Sequence, residues 1–400
     1  MDKPRLLMAM RGDFLGEPSK GGLFFSKDIA LYLSKFMDVY LVGKDDKENG
    51  KGYWREKKIE GTTFPFLDPY INKQFVGRPF DTFIAVRKAW KEIEKTNPDI
   101  VYLQEMDFLP LAKLGKPTIL HIHGCYKEML ALRYPRLWKL RRNIPNWFPN
   151  YIQGLFHLFL IKRYLPYLNK ILVSANKSQI AYLKEKEPLL GEKTIFVPLL
   201  LDTDMFLPMD KLEARRIFKL PEDHFIVLFV GGLDPLKAPH ILIQAFKIFN
   251  EQNPNSLLLL IGKGTLENKL RTLAEKLELE KNVKFLGKIS HSDLPIYYNA
   301  SDVFVLPSFY EGISLVSLEA LSCGIPIVVT SAIGASEFIQ PGVQGFIVEE
   351  GDVESLALAL HQAVKLPPET RRLCREIALQ FSKEQVGKLV KDILLSLLPQ

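Results

Sequence analysis

The chain has 400 residues, a formal net charge of +7 and 47% hydrophobic residues, enough for two or three domains with sizeable cores. Its three widely spaced cysteines exclude a disulfide framework and a zinc-binding spacing, and they favour a reducing cytoplasm. No run reaches the roughly 18 apolar residues of a membrane-spanning helix, and the N-terminal apolar run is too short for a signal peptide. We therefore expect a soluble or at most peripheral protein.

Short apolar runs alternate with segments of helical period, which predicts parallel sheets with helices on both faces. The predicted strands of the first half are Arg5–Met10, Asp38–Gly43, Ile100–Gln104, Thr118–His123, Ile171–Ser174 and Thr194–Val197. Those of the second half are Phe225–Val230, Ser256–Ile261, Val283–Leu286, Val303–Leu306, Ile325–Val329 and Gly345–Val348. The two series indicate two doubly wound α/β domains.

A segment rich in Pro and Asp, residues 199–223, separates the two series of strands. We place the domain boundary near residue 200, with an N-terminal domain over 1–200 and a C-terminal domain over 201–380. Residues 381–400 contain a final amphipathic helix, predicted at about Lys383–Leu398. Ligands of doubly wound domains bind at the carboxyl ends of the strands.

The stretch from Val303 to Thr330 is the most informative part of the chain. Its first strand leads into a loop with Glu311, and the loop opens a helix that carries Glu319. The first N–H groups of such a helix can bind an anion. Because carboxylates repel phosphate, we expect the glutamates to accept hydrogen bonds from sugar or ribose hydroxyls. The alternative is an ordinary strand–loop–helix unit with solvated glutamates.

A second pattern lies between Val230 and Lys237, where a predicted strand ends in Gly231 and Gly232. Glycines let the backbone approach a ligand closely, and a lysine at the head of the next helix suits a diphosphate. A tight turn without a ligand is the alternative interpretation.

Two further patterns follow strands of the first half. Gly21 and Gly22 follow the first strand and open a helix. His121 and His123 lie on the same face of a predicted strand, because side chains alternate along a strand. No third ligand stands at a recognisable spacing, so we expect no metal site there.

These residues resemble a known family. Glu311-Gly312, Leu315, Glu319-Ala320, Gly324, Pro326 and Val329 are similar to the E-x7-E segment of retaining glycosyltransferases of the GT-B fold, in the GT4 family (glycosyl transferases group 1). The resemblance is densest from Phe225 to Val348. It implies two Rossmann-like domains facing each other across a cleft, the N-terminal one on the acceptor side and the C-terminal one binding the nucleotide-sugar donor. The final helix would pack back on the N-terminal domain.

The resemblance also implies roles for single residues. Glu311 would contact hydroxyls of the donor sugar, Glu319 the ribose, and Lys237 the leaving diphosphate. Glu311, Lys237 and His123, a cleft residue, are the implied catalytic groups, whereas His121 is expected to be structural. The other implied donor-binding residues are Gly22, Gly231, Gly232, Gly262, Ser314, Leu315 and Val316.

Four positions depart from the family pattern. Gly232 replaces an arginine that holds the diphosphate together with the lysine, and Ala238 replaces the glycine that follows this lysine. Leu199-Leu200 replaces Asn-Gly in a loop near the hinge between the domains.

Residues 129–184 combine ten Lys or Arg side chains with ten interleaved aromatic residues, and no Asp or Glu occurs from Met129 to Lys184. Such a surface can contact anionic lipid headgroups or a phosphorylated acceptor, and a solvated helical face is the equally simple alternative. We expect peripheral contact with the inner face of the cell membrane and no binding of nucleic acid.

The resemblance implies transfer of a sugar from a nucleotide donor, UDP- or GDP-linked, to a hydroxyl of a glycan or lipid-linked acceptor, with retention and without a metal or other cofactor. Fixed dipoles and Lys237 would stabilise the leaving phosphate, which would help to deprotonate the acceptor. The alternatives are a nucleotide-sugar epimerase, a sugar phosphorylase or a non-catalytic nucleotide-sugar sensor.

Overall fold

The structure is a computed structural model that describes residues 3–13, 21–44, 54–69, 81–123, 159–174, 180–181, 184–185 and 187–399. It divides into one unit formed by Met1–Leu200 with Lys383–Gln400 and a second formed by Leu201–Ser382. Most of the basic and aromatic region at 129–184 lies outside the described residues.

The first unit contains an eight-stranded sheet in the order β3-β4-β2-β1-β5-β6-β7-β8. Its strands are β1 (Arg5–Asp13), β2 (Asp38–Lys44), β3 (Arg55–Ile59), β4 (Thr62–Leu67), β5 (Ile100–Leu103), β6 (Thr118–His123), β7 (Lys170–Ser174) and β8 (Thr194–Phe196). Helices described in this unit are Gly21–Leu33, Asp81–Lys88, Trp90–Glu94, Pro188–Lys193 and Lys383–Leu395, with 3-10 helices at Met106–Leu114 and Leu165–Tyr167.

The second unit contains a six-stranded parallel sheet in the order β11-β10-β9-β12-β13-β14. Its strands are β9 (Phe225–Val230), β10 (Ser256–Ile261), β11 (Val283–Gly287), β12 (Val303–Leu306), β13 (Ile327–Thr330) and β14 (Gly345–Val348). The helices are Lys211–Ile217, Pro239–Gln252, Glu267–Lys276, Leu294–Ala300, Leu315–Ser322, Val353–Ala363 and Thr370–Leu379, with a 3-10 helix at Gly334–Glu337.

Two parallel-sheet α/β domains were predicted, and this fold class is confirmed. In each unit the strand order reverses at one point, between β1 and β5 in the first sheet and between β9 and β12 in the second. Ligands of open α/β sheets bind outside the carboxyl ends of the strands at such a switch point. The loops after these four strands are therefore where function is expected.

The structure corrects three details of the predicted elements. The hairpin of β3 and β4 was not predicted, and it adds the sheet's antiparallel pair. The strand predicted at Ile325–Val329 begins only at Ile327, because Pro326 has no N–H for the ladder and contributes its carbonyl to Phe304 N instead. The final helix ends at Leu395 rather than Leu398.

The final helix completes the hydrophobic core of the first unit. Val386, Val390 and Leu394 are buried in the same cluster as Ile29 and Leu33 of the helix that follows β1. A Cβ atom on Gly387 would lie 2.6 Å from the ring of Tyr32, so the two helices are in close contact. Within the described part of the chain, none of the helices is both long enough and apolar enough to cross a membrane.

Candidate functional site

The predicted donor-binding residues of the second unit lie at its switch point. Gly231 and Gly232 follow β9, Gly262 follows β10, and Glu311 follows β12. The three strands are neighbours in the sheet, with β9 between the other two. Because the strands are parallel, their loops emerge at one edge of the sheet, as the predicted site requires.

Lys237 and Glu311 form an ion pair across the switch point, although 74 positions separate them in the sequence. The pair joins the loop after β9 to the loop after β12. Two backbone contacts support this arrangement: Phe309 N donates to Leu236 O at 2.9 Å, and Lys237 N donates to the Asp234 carboxylate at 3.1 Å. Both members of the pair keep about a quarter of their side-chain surface exposed, so a ligand can reach them.

Burial lowers the pKa of Lys237 to about 8, and the charge of Asp234 partly opposes this shift. A lysine with this pKa carries its positive charge at neutral pH but loses it in mildly alkaline solution. The ammonium is therefore available to a diphosphate in the neutral range.

Gly262 is fixed by the close approach of two loops. Its φ is +138°, and a Cβ atom there would lie 1.8 Å from the carbonyl oxygen of Gly231. Gly232 is different, because its backbone conformation accepts any residue and a Cβ atom would meet only the carboxylate of Asp234, at 2.7 Å. Position 262 therefore requires glycine, whereas position 232 can hold a larger residue if the Asp234 side chain moves.

The helix Leu315–Ser322 begins at the carboxyl edge of β12. Ser314 is its N-cap and accepts a hydrogen bond from Ser317 N at 3.4 Å. Leu315 and Val316 lie in the first turn, where backbone N–H groups have no intrahelical partner, and both residues are partly exposed. These N–H groups can bind an anion next to the Lys237–Glu311 pair.

Glu319, which was expected to contact the ribose of the donor, already has hydrogen-bond partners within the protein. Its side chain is only 2% exposed. One carboxylate oxygen accepts from His291 Nε2 at 2.8 Å and the other from the Tyr298 hydroxyl at 2.9 Å. Each oxygen retains a second lone pair, so a ribose hydroxyl can still be accepted, but the carboxylate is already held by the protein.

His291 and Tyr298 were not identified from the sequence. Burial disfavours the charged form of His291, but the hydrogen bond and charge of Glu319, with Asp202, outweigh it and raise the pKa of His291. Burial, followed by the charge of Glu319, raises the pKa of Tyr298 well above its ordinary value. Neither residue belongs to a motif, although His291 lies in the loop after β11, at the edge of the sheet where ligand-binding loops are expected.

Ala238 has a left-handed backbone, with φ of +51° and ψ of +41°, and it precedes the helix Pro239–Gln252. Glycine adopts this conformation without cost, whereas a residue with a Cβ atom does not. The left-handed conformation explains why the family pattern has glycine at this position. This chain adopts the same conformation with alanine.

The remaining predicted residues, Gly22 and His123, belong to the first unit. Gly22 lies in the first turn of the helix that follows β1, and His123 is the last residue of β6. His121 is buried, and its two ring nitrogens bond the Tyr102 hydroxyl at 2.6 Å and the Ser174 hydroxyl at 2.9 Å. This is the environment of a structural histidine. No group of three or more His, Cys, Asp or Glu side chains in the described part of the chain could hold a metal ion.

Residues 210–381 match the family described as glycosyl transferases group 1. The chain is 34% identical over 187 residues to D-inositol 3-phosphate glycosyltransferase of Mycolicibacterium smegmatis, a match that covers 45% of this chain and 42% of the relative. It therefore spans less than half the length of this relative.

Two solved structures share the fold over nearly their whole length. Sucrose-phosphate synthase from Thermosynechococcus elongatus is 19% identical with a TM-score of 0.74, and each chain is covered to 99%. HepE of Anabaena, solved in complex with UDP and glucose, is 18% identical with a TM-score of 0.71, with 98% of this chain and 99% of that chain covered. The second unit therefore matches the group 1 glycosyl transferases over residues 210–381, and the two units of the chain have the GT-B fold.

Proposed function

We propose that the protein transfers a sugar from a nucleotide-sugar donor to a hydroxyl of a glycan or lipid-linked acceptor, with retention at the anomeric carbon. The observation that carries this proposal is the Lys237–Glu311 ion pair beside the helix that begins at Leu315, within the segment that matches the family. It combines a cation, free N–H groups and a hydroxyl acceptor at one switch point.

The proposed chemistry follows from these three components. As the glycosidic bond breaks, negative charge develops on the leaving diphosphate, and Lys237 and the first-turn N–H groups stabilise it without reorganisation of solvent. Glu311 accepts hydrogen bonds from the transferred sugar once the donor displaces its pairing with Lys237. The departing phosphate takes the acceptor proton on the same face, which gives retention.

We further propose that the reaction requires no divalent metal, because the cation and the helix N-terminus neutralise the diphosphate. A UDP- or GDP-sugar is the proposed donor. Support for a uridine nucleotide comes from the fold relative HepE, whose structure contains UDP. The lipid-linked acceptor, the peripheral membrane contact of residues 129–184 and a location at the cytoplasmic face of the membrane remain proposals from the sequence.

The proposal is tested with purified full-length protein and a panel of UDP-, GDP- and ADP-sugars. Thermal stabilisation identifies the donor, because a ligand that binds the native state raises its apparent stability. Release of nucleoside diphosphate with an acceptor extract, unaffected by EDTA, is the expected result. Glu311→Gln should abolish transfer and leave the unfolding transition unchanged.

Four outcomes would contradict the proposal. Conversion of the donor without an acceptor would indicate an epimerase, and turnover only with inorganic phosphate would indicate a phosphorylase. Donor binding with no release of nucleoside diphosphate under any acceptor would indicate a sensor. Full activity of the Glu311→Gln variant would remove Glu311 from the site.

A further inference from the structure

The second unit begins with a short turn that contacts the helix carrying Glu319. Asp202 starts this turn. Its carboxylate accepts a hydrogen bond from Met205 N at 3.0 Å, and its carbonyl accepts one from Phe206 N at 3.1 Å. The side chain and the backbone of Asp202 thus close the same turn, which holds its last residue, Phe206, in one position.

The backbone of Phe206 is attached to the helix Leu315–Ser322. The Ser322 hydroxyl donates to Phe206 O at 2.7 Å, and Arg375 Nη1 donates to the same carbonyl at 2.7 Å. Arg375 Nη1 also donates to Ser322 O at 3.1 Å, so one guanidinium connects the turn to the end of this helix. Ser322 follows Glu319 by three residues, and side chains at this spacing are neighbours on a helix surface.

The ring of Phe206 contacts the two side chains that hold the Glu319 carboxylate. Its centroid lies 5.2 Å from that of the His291 ring and 5.9 Å from that of the Tyr298 ring, at interplanar angles of 64° and 68°. Such edge-to-face contacts are favourable only in a narrow range of orientations, so they restrict both rings. Because His291 and Tyr298 each bond one oxygen of the carboxylate, the direction of the carboxylate depends on where these rings lie.

The contacts form a closed circuit around Phe206. The circuit runs from Glu319 to His291 and Tyr298, on to the Phe206 ring, and back to the helix through the Phe206 carbonyl and Ser322. The helix fixes the backbone of Glu319, and the two rings fix its oxygens. Phe206 contacts both parts, yet it is only 1% exposed, so it acts through other residues rather than on a ligand.

We propose that Phe206 is a positioning residue for ribose binding: through His291 and Tyr298 it holds the Glu319 carboxylate in the orientation that accepts ribose hydroxyls. The inference rests on the proposed function, with the ribose role that the family resemblance implies for Glu319. A carboxylate released from this orientation must be ordered again when the ligand binds, which weakens its hydrogen bonds to the hydroxyls. Loss of the Phe206 ring should therefore reduce ribose binding selectively and leave the binding of the diphosphate unchanged.

The test measures what the ribose hydroxyls contribute to binding by the full-length protein. The measured quantity is the Kd for dideoxy-UDP, which lacks both ribose hydroxyls, divided by the Kd for UDP, with the corresponding GDP pair in parallel. In the wild type we expect a ratio of about tenfold to a hundredfold, the value of a hydrogen bond to a charged group. Phe206→Leu should decrease this ratio by about tenfold, because one well-oriented hydrogen bond is lost. The Kd for dideoxy-UDP itself should not change.

Phe246→Leu is the matched control. Phe246 is fully buried in the same unit, and its ring lies 6.1 Å from that of Phe249 on the helix Pro239–Gln252. The same substitution removes a comparable amount of core packing, so it should lower the stability of the protein and leave the ribose ratio unchanged. An equal decrease of the ratio in both variants, or an unchanged ratio in folded Phe206→Leu, overturns the proposal.

A second measurement needs no ligand and follows the His291 ring by NMR, with its signals assigned as those that disappear in His291→Asn. Burial opposes the charged form of His291, but the hydrogen bond and charge of Glu319, with the charge of Asp202, raise its pKa overall. In Phe206→Leu the ring is free to move away from Glu319, so the pKa of His291 should fall toward its ordinary value of about 6.5. In Phe246→Leu it should stay at the wild-type value.

The two measurements separate the possible failures. If the proposed function is wrong, neither UDP nor GDP binds the wild-type protein, and the NMR titration still decides whether Phe206 positions the partners of Glu319. An identical pKa of His291 in the wild type and in both variants overturns the positioning role even if nucleotides bind. If Phe206→Leu does not fold, Phe206→Met, which fills more of the space of the ring, is measured in the same two ways with the same expected results.

Discussion

The Nε2 atom of His291 lies 2.8 Å from Oε1 of Glu319, so a partly exposed imidazole holds a carboxylate that is almost completely buried. The Tyr298 hydroxyl holds the second oxygen from inside the core. Glu319 is therefore fixed in orientation before any ligand binds, which favours binding because little side-chain entropy is lost later.

We expect Tyr298→Phe to destabilise the protein by about 1–3 kcal/mol, because it leaves a buried carboxylate oxygen without its donor. Urea denaturation measures the change. Tyr297→Phe is the matched control, since Tyr297 acts through its ring, which stacks on Phe218 at 4.1 Å. Equal stability of the two variants would show that the Tyr298 hydroxyl contributes nothing.

The raised pKa of His291 predicts a pH-dependent contribution to stability. A group whose pKa is higher in the folded state stabilises fully below its unfolded pKa of about 6.5 and loses this effect as the pH rises through the folded value. The difference in unfolding free energy between wild type and His291→Asn should therefore be larger at about pH 6 than at about pH 9.

The control for this experiment is His224→Asn. His224 also contacts a carboxylate, that of Asp223 at 2.9 Å, but this carboxylate is 77% exposed. Exposed ion pairs contribute little, so the control should show a small difference at both pH values. A His291 effect that is constant with pH, or that increases toward alkaline pH, would contradict the assignment.

Lys237 should determine how kcat/KM falls on the alkaline side of the pH profile. Its pKa of about 8 means that kcat/KM for the donor, which reports the free enzyme, should fall above this pH as the ammonium loses its proton. The arginine of Lys237→Arg keeps its charge at all accessible pH values, so the fall in kcat/KM should shift to higher pH even if the maximal rate is lower. The same limb in both proteins would assign the titration to another group.

Replacing Gly232 by arginine should restore the second cation of the family pattern. A charge-assisted hydrogen bond to phosphate contributes about 1.5–3 kcal/mol, so the Kd for the nucleoside diphosphate should decrease by at least about tenfold. Gly232→Met is the control, since it introduces the same contact with Asp234 without charge. The gain should shrink at high salt, and equal affinities of the two variants would contradict the prediction.

Ala238→Gly should stabilise the protein, because a left-handed residue with a Cβ atom costs about 1–2 kcal/mol and the greater unfolded-state entropy of glycine offsets only part of this. We expect a net gain of about 0.5–1 kcal/mol in thermal or urea denaturation. Ala359→Gly, in the interior of the helix Val353–Ala363, should instead destabilise by about 1 kcal/mol. Destabilisation in both variants would show that Ala238 is unstrained.

The strands that the sequence predicted best are those buried on both faces. Phe225–Val230 and Ser256–Ile261 are continuous apolar runs, and the structure has the same bounds. Arg55–Ile59 was missed for the opposite reason. This strand lies at the sheet edge, only Ile59 among its residues is buried, and its charged residues carry no apolar pattern.

The site was predictable only in part, for a related reason. A motif can indicate that Lys237 and Glu311 serve one ligand, but it cannot show that they pair with each other across two loops. His291 and Tyr298 lie 28 and 21 positions before Glu319, on segments whose spacing to it is set by the tertiary fold.

The return of the last helix to the first unit has a consequence for biosynthesis. The core around Ile29 and Leu33 needs Val386 and Val390, which are synthesised only after the whole second unit. The second unit is continuous in sequence and can fold on the nascent chain, whereas the unit synthesised first must wait for its closing helix. Until that helix is synthesised, the apolar surface of the first unit is exposed, and we expect chaperones to bind the nascent chain there.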